Sequence, residues 1–377
     1  MERKNAWAAY AGDDGKVEAF AKAYCDFINN GKTERECVAY GEKLAKAHGF
    51  EDLNAVVRSG RKLEAGARVY ANWMGKSFML FVLGEKPLEE GMNILGAHID
   101  SPRIDVKQNP LYEDTDLAYL DTHYYGGIKK YQWVAIPLAL HGVIVRKTGE
   151  KVIINIGEDE NDPVFCISDL LVHLAQEQMT KNAKEVVEGE ALNLIVGGRP
   201  LEGEEKDAVK ANVLKLLADK YGVEEEDFLS AELEIVPAGK ARDMGFDRSM
   251  ILAYGHDDRV CAYPSMMAVL DYEGTPEYTL CCIVTDKEEI GSVGATGMAS
   301  HYLENTVAEL YACTADYCEL AVRRCLRNSR MLSSDVSAGY DPNFASAFEK
   351  KNSAFLGRGI CFNKFTGSRG KSGSNDA

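Results

Sequence analysis

Five consecutive apolar residues, Leu280–Val284 (LCCIV), lie just before the acidic turn TDKEEIG and leave the chain few folds to choose from. A short run this rich in β-formers reads as a strand buried on both faces, not as one side of a half-exposed sheet. Such a strand needs a layer above and a layer below it. The flanking sequence supplies them. From Met250 onward, strand-like and helix-like patterns alternate, which argues for an α/β fold with a mainly parallel sheet flanked by helices. At the carboxyl end of the run stand Asp286, Lys287, Glu288 and Glu289, followed by Gly291, Gly294 and Gly297. Chemistry in open α/β sheets gathers beyond the carboxyl ends of strands. An isolated Glu-Glu pair after a strand is ordinarily a solvated turn, so the remaining polar clusters decide its meaning.

The first part of the chain reads as two helices. Val17, Phe20, Ala21, Tyr24, Phe27 and Ile28 fall on one helical face, which ends at Asn29-Asn30-Gly31. Thr33 with Glu36 fits a capping box for a second helix that stops near Gly49. ARVYANW and SFMLFVLG flank MGK as a hairpin, and NILGAHI is a short buried strand whose end carries His98 and Asp100 before Ser101-Pro102. From Arg103 the texture changes to strands joined by the turn KTGE, a helix over 166–180, an amphipathic helix over 204–221 stopped by Gly222, and the strand AELEIVPAG. This block reads as a domain inserted into another, giving 1–102, 103–246 and 247–377 as the units. In the last unit the pattern predicts a helix after HDDR, the LCCIV strand and a helix over 292–304. TVAELYACT then reads as a strand, LAVRRCLRNSR as a helix, MLSSDVSAG as a strand ending at Asp335, and GRGICFNKF as the last strand.

The formal net charge of −16 argues against nucleic acid or an anionic membrane as partner, because phosphate binding needs a basic surface. No apolar run reaches the about 18 residues that a membrane span requires, and MERKNAWAAYAGDDGK lacks the apolar core of a signal peptide, so the expected compartment is the cytoplasm. The 10 cysteines include no CxxC pair, and several sit in apolar runs, which predicts buried thiols over disulfides or a thiolate metal site.

Polar clusters now stand at strand ends: His98/Asp100, His256/Asp257/Asp258, Glu288/Glu289 and Asp335. Taken singly, each has an ordinary explanation as a bonded histidine, a helix cap or a turn. Taken together, they form a nitrogen and oxygen donor set without sulfur, which suits Zn²⁺, Mn²⁺ or Co²⁺ at a hydrolytic site. A carboxylate shared between two ions would make a two-metal hydrolase.

GAHIDSPR, the HDDR turn, DKEEIGS and SSDVSAGYDPN, in this order, resemble the M18 metallo-aminopeptidases, the family of aspartyl aminopeptidase and yeast vacuolar aminopeptidase I. YYGGIKKYQW and FNKFTGSRGKSGSNDA resemble its bacterial branch. The resemblance runs from about residue 15 to the last residue and implies a zinc-peptidase-like α/β fold with an inserted β-rich dimerisation domain over 103–246. It implies two Zn²⁺ per subunit, with His98, Asp257, Glu289 and Asp335 as metal ligands and Asp257 bridging. Asp100 would fix the imidazole of His98, and Glu288 would be the general base that takes a proton from water and passes it to the leaving amine. Asp258 and His256 are left to hold the turn. His173, in DLLVHLAQEQ, would reach from one subunit into its partner's site to hold the peptide carbonyl. The implied substrates are peptides losing single N-terminal residues, and the implied assembly is a homo-oligomer, a dimer joined into a dodecamer.

The resemblance also implies a departure. Family members continue past GSNDA into a tail that supplies a last histidine to the metal held by Glu289, so weak or no peptidase activity is expected of this chain alone. A chain acting only through assembly or peptide binding is the alternative from another class. A co-catalytic zinc hydrolase of the M42 or M20 type shares the HxD, DD and EE pattern but lacks SPRID and GSRGKSGSND. Preference for an acidic N-terminal residue would need a cation in the specificity pocket, for which Lys364 and Lys371 are the candidates.

Overall fold

The computed structural model describes residues 4–364. After a single-turn helix α1 (Ala6–Ala9), helices α2 (Asp14–Asn30) and α3 (Glu34–Ala47) follow one another. The capping box forms as its residue types require: the Glu36 N–H donates to Thr33 Oγ1 at 3.2 Å, and the Thr33 N–H donates to Glu36 Oε2 at 3.1 Å. Gly49, at φ +77°, turns the chain from α3 toward the two-residue strand β1 (Glu51–Asp52) and helix α4 (Leu53–Ser59).

Strands β2 (Arg68–Trp73) and β3 (Ser77–Val82) form the expected hairpin, and β4 (Met92–His98) is the strand that ends in histidine. A second sheet follows, built from β5 (Arg103–Asp114), β6 (Leu117–Tyr125), β7 (Leu138–Val145), β8 (Lys151–Ile156), β9 (Leu194–Gly197) and β10 (Glu232–Pro237). Helix α5 (Ala208–Tyr221) lies between β9 and β10 and ends at Gly222, φ +61°. A small hairpin, β11 (Arg242–Met244) and β12 (Met250–Leu252), leads back to the first sheet. There helix α6 (His256–Leu270), strand β13 (Thr279–Thr285), helices α7 (Tyr302–Thr314) and α8 (Glu319–Asn328) and strand β14 (Arg330–Ser333) complete the layers.

The first sheet has the order β1-β2-β3-β13-β4-β14. It is mixed: β13 and β14 both run parallel to β4, whereas β3 runs antiparallel to β2 and β13. The LCCIV strand is β13, at the centre. Its two cysteines point to opposite faces, as period 2 demands. Cys281 packs with Met79, Phe81, Ile94, Val307 and Leu310 under α7 and α8, and Cys282 packs with Leu80, Phe27, Val38 and Met266 under α2, α3 and α6. Both faces are therefore covered, which is why the run is apolar throughout. All 10 cysteines are free thiols, and Cys37, Cys281, Cys282, Cys313 and Cys325 are buried. The second sheet, β8-β7-β10-β5-β6-β9, is antiparallel throughout and has its own apolar core around Ile104, Leu140, Leu194 and Ile235. Among the described residues no helix is long and apolar enough to cross a membrane.

Buried charges join the two sheets. Glu34, 0 % exposed, accepts from Lys76 Nζ at 2.8 Å and from Arg103 Nη1 at 3.1 Å. Arg103 also pairs with Asp105 at 2.8 Å and Glu234 at 3.3 Å, and Lys76 pairs with Glu232. Burial alone raises the Glu34 carboxyl pKa, but Arg103 and Lys76 overrule it and hold the group well below the usual carboxylate range. Removing one partner from such a set strands the others without compensation. Glu34→Ala is expected to lower the free energy of unfolding by about 3–5 kcal/mol, read from the urea midpoint; a loss under about 1 kcal/mol would mean that these pairs hold nothing together.

Four local expectations are corrected. Residues 166–180 form turns and a 3₁₀ segment at Gln178–Thr180, not a helix: Leu171, Val172 and Leu174 are exposed, so no buried face drives helix formation. Residues 292–301 form a loop, because Gly291 and Gly294 take φ +89° and +84° and break the expected helix. TVAELYACT is helical, inside α7. Its buried Thr306, Val307, Leu310 and Tyr311 recur with the helical period that its β-prone residue types obscured. Residues 357–364 are exposed and take no strand geometry.

Candidate active site

The parallel register of β4, β13 and β14 builds the site. Thr285 lies opposite His98 and Ser333 opposite Gly96, so β13 and β14 deliver Asp286–Glu289 and Asp335 to the edge where β4 ends in His98. Helix α6 starts at the same edge. Gly255, at φ +82°, turns the chain into it, and a side chain there would strike the Arg259 guanidinium. Arg259 is buried and donates to Ile99 O at 3.2 Å and to Lys32 O at 2.9 Å, fixing the first turn of α6 to the end of β4.

His98 is 3 % exposed. Its Nδ1 faces Asp100, at 3.0 Å from the backbone carbonyl and 3.3 Å from Oδ1. That partner set assigns the proton to Nδ1 and directs Nε2 into the cleft. There Nε2 lies 3.1 Å from Asp257 Oδ1, 3.7 Å from Glu288 Oε2 and 3.9 Å from Asp335 Oδ1. Asp100 is fully buried and accepts three further hydrogen bonds: from Tyr125 Oη at 2.7 Å and from the backbone N–H groups of Glu288 and Glu289, each at 3.2 Å. Burial raises the Asp100 carboxyl pKa, but His98 and Tyr125 outweigh it and bring the group below its ordinary value.

The Glu-Glu pair sits on a single 3₁₀ turn, Glu288–Ile290, bracketed by Lys287 at φ +71° and Gly291 at φ +89°. This tight turn brings both glutamates back over the sheet edge. Gly126, which follows β6 at φ +72°, passes over the turn: a Cβ there would lie 3.3 Å from Glu289 Cβ. Asp258 is buried, and neither carboxylate oxygen has a hydrogen-bond partner of good geometry among the described residues.

Among the described residues two groups each bring three ligand atoms within 4.8 Å of one another: His98, Asp257 and Glu289, and His98, Asp258 and Asp335. The carboxylates crowd a single imidazole, and their acidities record it. Burial, reinforced by Asp257, Asp100 and Glu288 and partly relieved by His98, moves Glu289 up to about 7. Burial, reinforced by Asp335 and Asp257 and partly relieved by Cys261 and His98, also moves Asp258 up to about 7. For His98, burial lowers the pKa, but Asp100 and Asp257 reverse this and lift it to about 11. The described protein groups alone thus leave the cluster short of positive charge. A divalent cation would relieve that shortage, and the all-nitrogen-and-oxygen donor set fits zinc, manganese or cobalt.

The other expected residues lie elsewhere or need different accounts. His256 has both ring nitrogens engaged, Nε2 with Ile251 O at 3.1 Å and Nδ1 with Tyr24 Oη at 2.7 Å, so it holds the turn. His173 is exposed on the turn segment between β8 and β9 and joins neither group of candidate ligands. Lys364 is exposed and likewise outside both groups, and Lys371 lies outside the described residues. By sequence pattern Asp258 is a turn residue, yet it faces His98 and Asp335. The pattern gives no role to Tyr125, whose only sequence signal is its place in YYGGIKKYQW.

The geometry agrees with what relatives of the chain are. The model of a family described as "Aminopeptidase I zinc metalloprotease (M18)" matches residues 27–377. The probable M18 family aminopeptidase 1 of Clostridium acetobutylicum is 58 % identical over 380 residues, covering 100 % of this chain and 81 % of that protein. The crystal structure of aminopeptidase I from the same organism superposes with a TM-score of 0.89 at 55 % identity, and that of an M18 family aminopeptidase from Thermotoga maritima with 0.92 at 42 % identity. Each of these structures is matched over 100 % of this chain and 82 % of its own. The chain belongs to the M18 family of zinc metallo-aminopeptidases.

Proposed function

We propose that His98, Asp257, Glu289 and Asp335 hold two divalent ions, zinc in the first instance, and that Glu288 carries the proton in removal of the N-terminal residue from peptides. The observation that carries this reading is the aim of His98 Nε2: with Nδ1 locked by Asp100, it faces the carboxylates of Asp257, Glu288 and Asp335 at 3.1–3.9 Å. The close approach of Asp258 to His98 and Asp335 adds a carboxylate to the side of Asp335. When bound, such ions supply Lewis-acid polarisation of the scissile carbonyl and make water a better nucleophile at neutral pH. Asp100 keeps the His98 ring in one tautomer and, through the backbone of Glu288 and Glu289, holds the turn that carries both glutamates. Glu288 is half-exposed, so its carboxylate is open to substrate, as a group must be that takes a proton from the attacking water and returns it to the leaving amine.

Residues 1–102 and 247–377 are read as the catalytic unit and 103–246 as an assembly and lid unit, in line with the division into two sheets. The exposed apolar stretch Leu170, Leu171, Val172 and Leu174 supports a homo-oligomer formed through the second unit, since a surface of this kind marks an interaction site. His173 lies within that exposed stretch, and we propose that in such an assembly it reaches the partner subunit's site. Light scattering should give a mass above the 41.5 kDa of one chain, and a monomer at micromolar concentration would remove this part of the reading.

The function is tested by metal removal. The purified protein should release the first residue from peptides with a free amino terminus, not from N-acetylated ones. A strong chelator should abolish that release and added Zn²⁺, Mn²⁺ or Co²⁺ restore it. Turnover indifferent to chelation would overturn the proposal.

A further inference from the structure

The Asp100 carboxylate gathers donors from three directions: the His98 ring, the backbone of the Glu288–Glu289 turn and the Tyr125 hydroxyl. The first two belong to the edge of the first sheet. Tyr125 comes from the second, as the last residue of β6. Its hydrogen bond, at 2.7 Å to Oδ2, is the shortest of the set, as expected for a hydroxyl donating to an ionised carboxylate. The ring is itself anchored. Arg103, its partner across the β5–β6 ladder, lays its guanidinium 4.0 Å from the ring centroid, and Arg103 is buried among Glu34, Asp105 and Glu234. The next residue, Gly126, is the one that lies against Glu289.

We propose that Tyr125 is a positioning residue for the metal centre. Through Asp100 it sets the orientation of His98 and of the Glu288–Glu289 turn, so that the second sheet governs how tightly the site holds its ions. The inference rests on the reading that these residues bind metal. A carboxylate offers about four lone-pair directions. His98 Nδ1 and the Glu288 N–H face Oδ1, the Glu289 N–H takes one direction of Oδ2, and Tyr125 fills the remaining one. Groups that orient a metal ligand in this way are typically worth about 10–100-fold in metal affinity.

The test is zinc competition against a chromophoric chelator, with wild-type, Tyr125→Phe, Asp100→Asn and the double variant in parallel. Phenylalanine keeps the ring on Arg103 and removes only the hydroxyl. Tyr125→Phe is expected to bind Zn²⁺ about 10–100-fold more weakly, with an altered visible spectrum when loaded with Co²⁺. Because Tyr125 acts through Asp100, the two losses should fall short of adding in the double variant. Zinc affinity within about two-fold of wild type, or fully additive losses, would overturn the inference while leaving the metal site standing. A wild-type protein that binds no zinc would overturn the site reading and this inference with it. Should Tyr125→Phe not fold, 3,5-difluorotyrosine at position 125 keeps the shape and changes only the acidity of the phenol. A shift in zinc affinity then supports the role, and none refutes it.

Discussion

Glu288→Gln is expected to lower kcat by about 10²–10⁴-fold while leaving the zinc content at the wild-type level. The two halves of that expectation come from different features of the same turn. Glu288 and Glu289 are adjacent, and both rest on Asp100 through their backbone N–H groups, so substituting one side chain leaves the turn in place. Glutamine has the size and hydrogen-bonding reach of glutamate but cannot take up a proton, so it removes acid–base capacity and little else. The neighbour should behave in the opposite way, with Glu289→Ala losing metal. If Glu288→Gln emptied the site and Glu289→Ala kept its metal, the two roles would have to be exchanged. The measurement is a steady-state rate on an aminoacyl-p-nitroanilide together with elemental analysis of the same samples.

Asp257→Ala is expected to cost more still. Its Oδ1 is the closest cleft-side neighbour of His98 Nε2, at 3.1 Å, and as the proposed bridge it serves both ions. Outer groups that only orient a ligand are worth about 10–100-fold in affinity, so loss of the bridge should exceed about 100-fold and remove activity with it. Elemental analysis after gel filtration should find the variant essentially free of zinc. The outcome discriminates between the two clusters of donor atoms. If Asp257→Ala keeps one tightly held ion, the ion sits with His98, Asp258 and Asp335, and Asp258 is a ligand in its own right.

Much of this was legible in the sequence because local pattern and tertiary role coincide. LCCIV is apolar on both faces because helices cover both, and Thr33 with Glu36 caps α3 as its spacing demands. The polar clusters were legible for the same reason: each follows a strand or opens a helix, and parallel pairing of β4, β13 and β14 sends their ends to one edge. Periodicity failed where residue type and period disagreed. Thr306–Thr314 is rich in β-formers, yet its buried positions recur as a helix. It failed again at 170–174, where an apolar segment has no cover among the described residues and takes no helix. Tyr125 and Asp258 were beyond reach for another reason. What matters about Tyr125 is a contact between sheets, with Asp100 some 25 residues earlier in the chain, and nothing in YYGGIKKYQW announces it. The burial of Asp258 beside the cleft distinguishes it from the many aspartates that merely begin helices. The choice among hydrolases sharing the HxD, DD and EE pattern is made by the family match over residues 27–377, which favours neither the M42 and M20 alternatives nor a non-catalytic chain.

On the proposed reading, His98, Glu289 and Asp335 from the ends of β4, β13 and β14 hold zinc together with Asp257 from the start of α6. Anomalous diffraction recorded on both sides of the zinc absorption edge, from crystals grown with Zn²⁺, tests it most directly. Peaks are expected in the cleft faced by His98 Nε2, at about 2.0–2.2 Å from that nitrogen and from carboxylate oxygens of these aspartates and Glu289. A cleft without an anomalous peak, with zinc bound elsewhere on the chain or not at all, would contradict it.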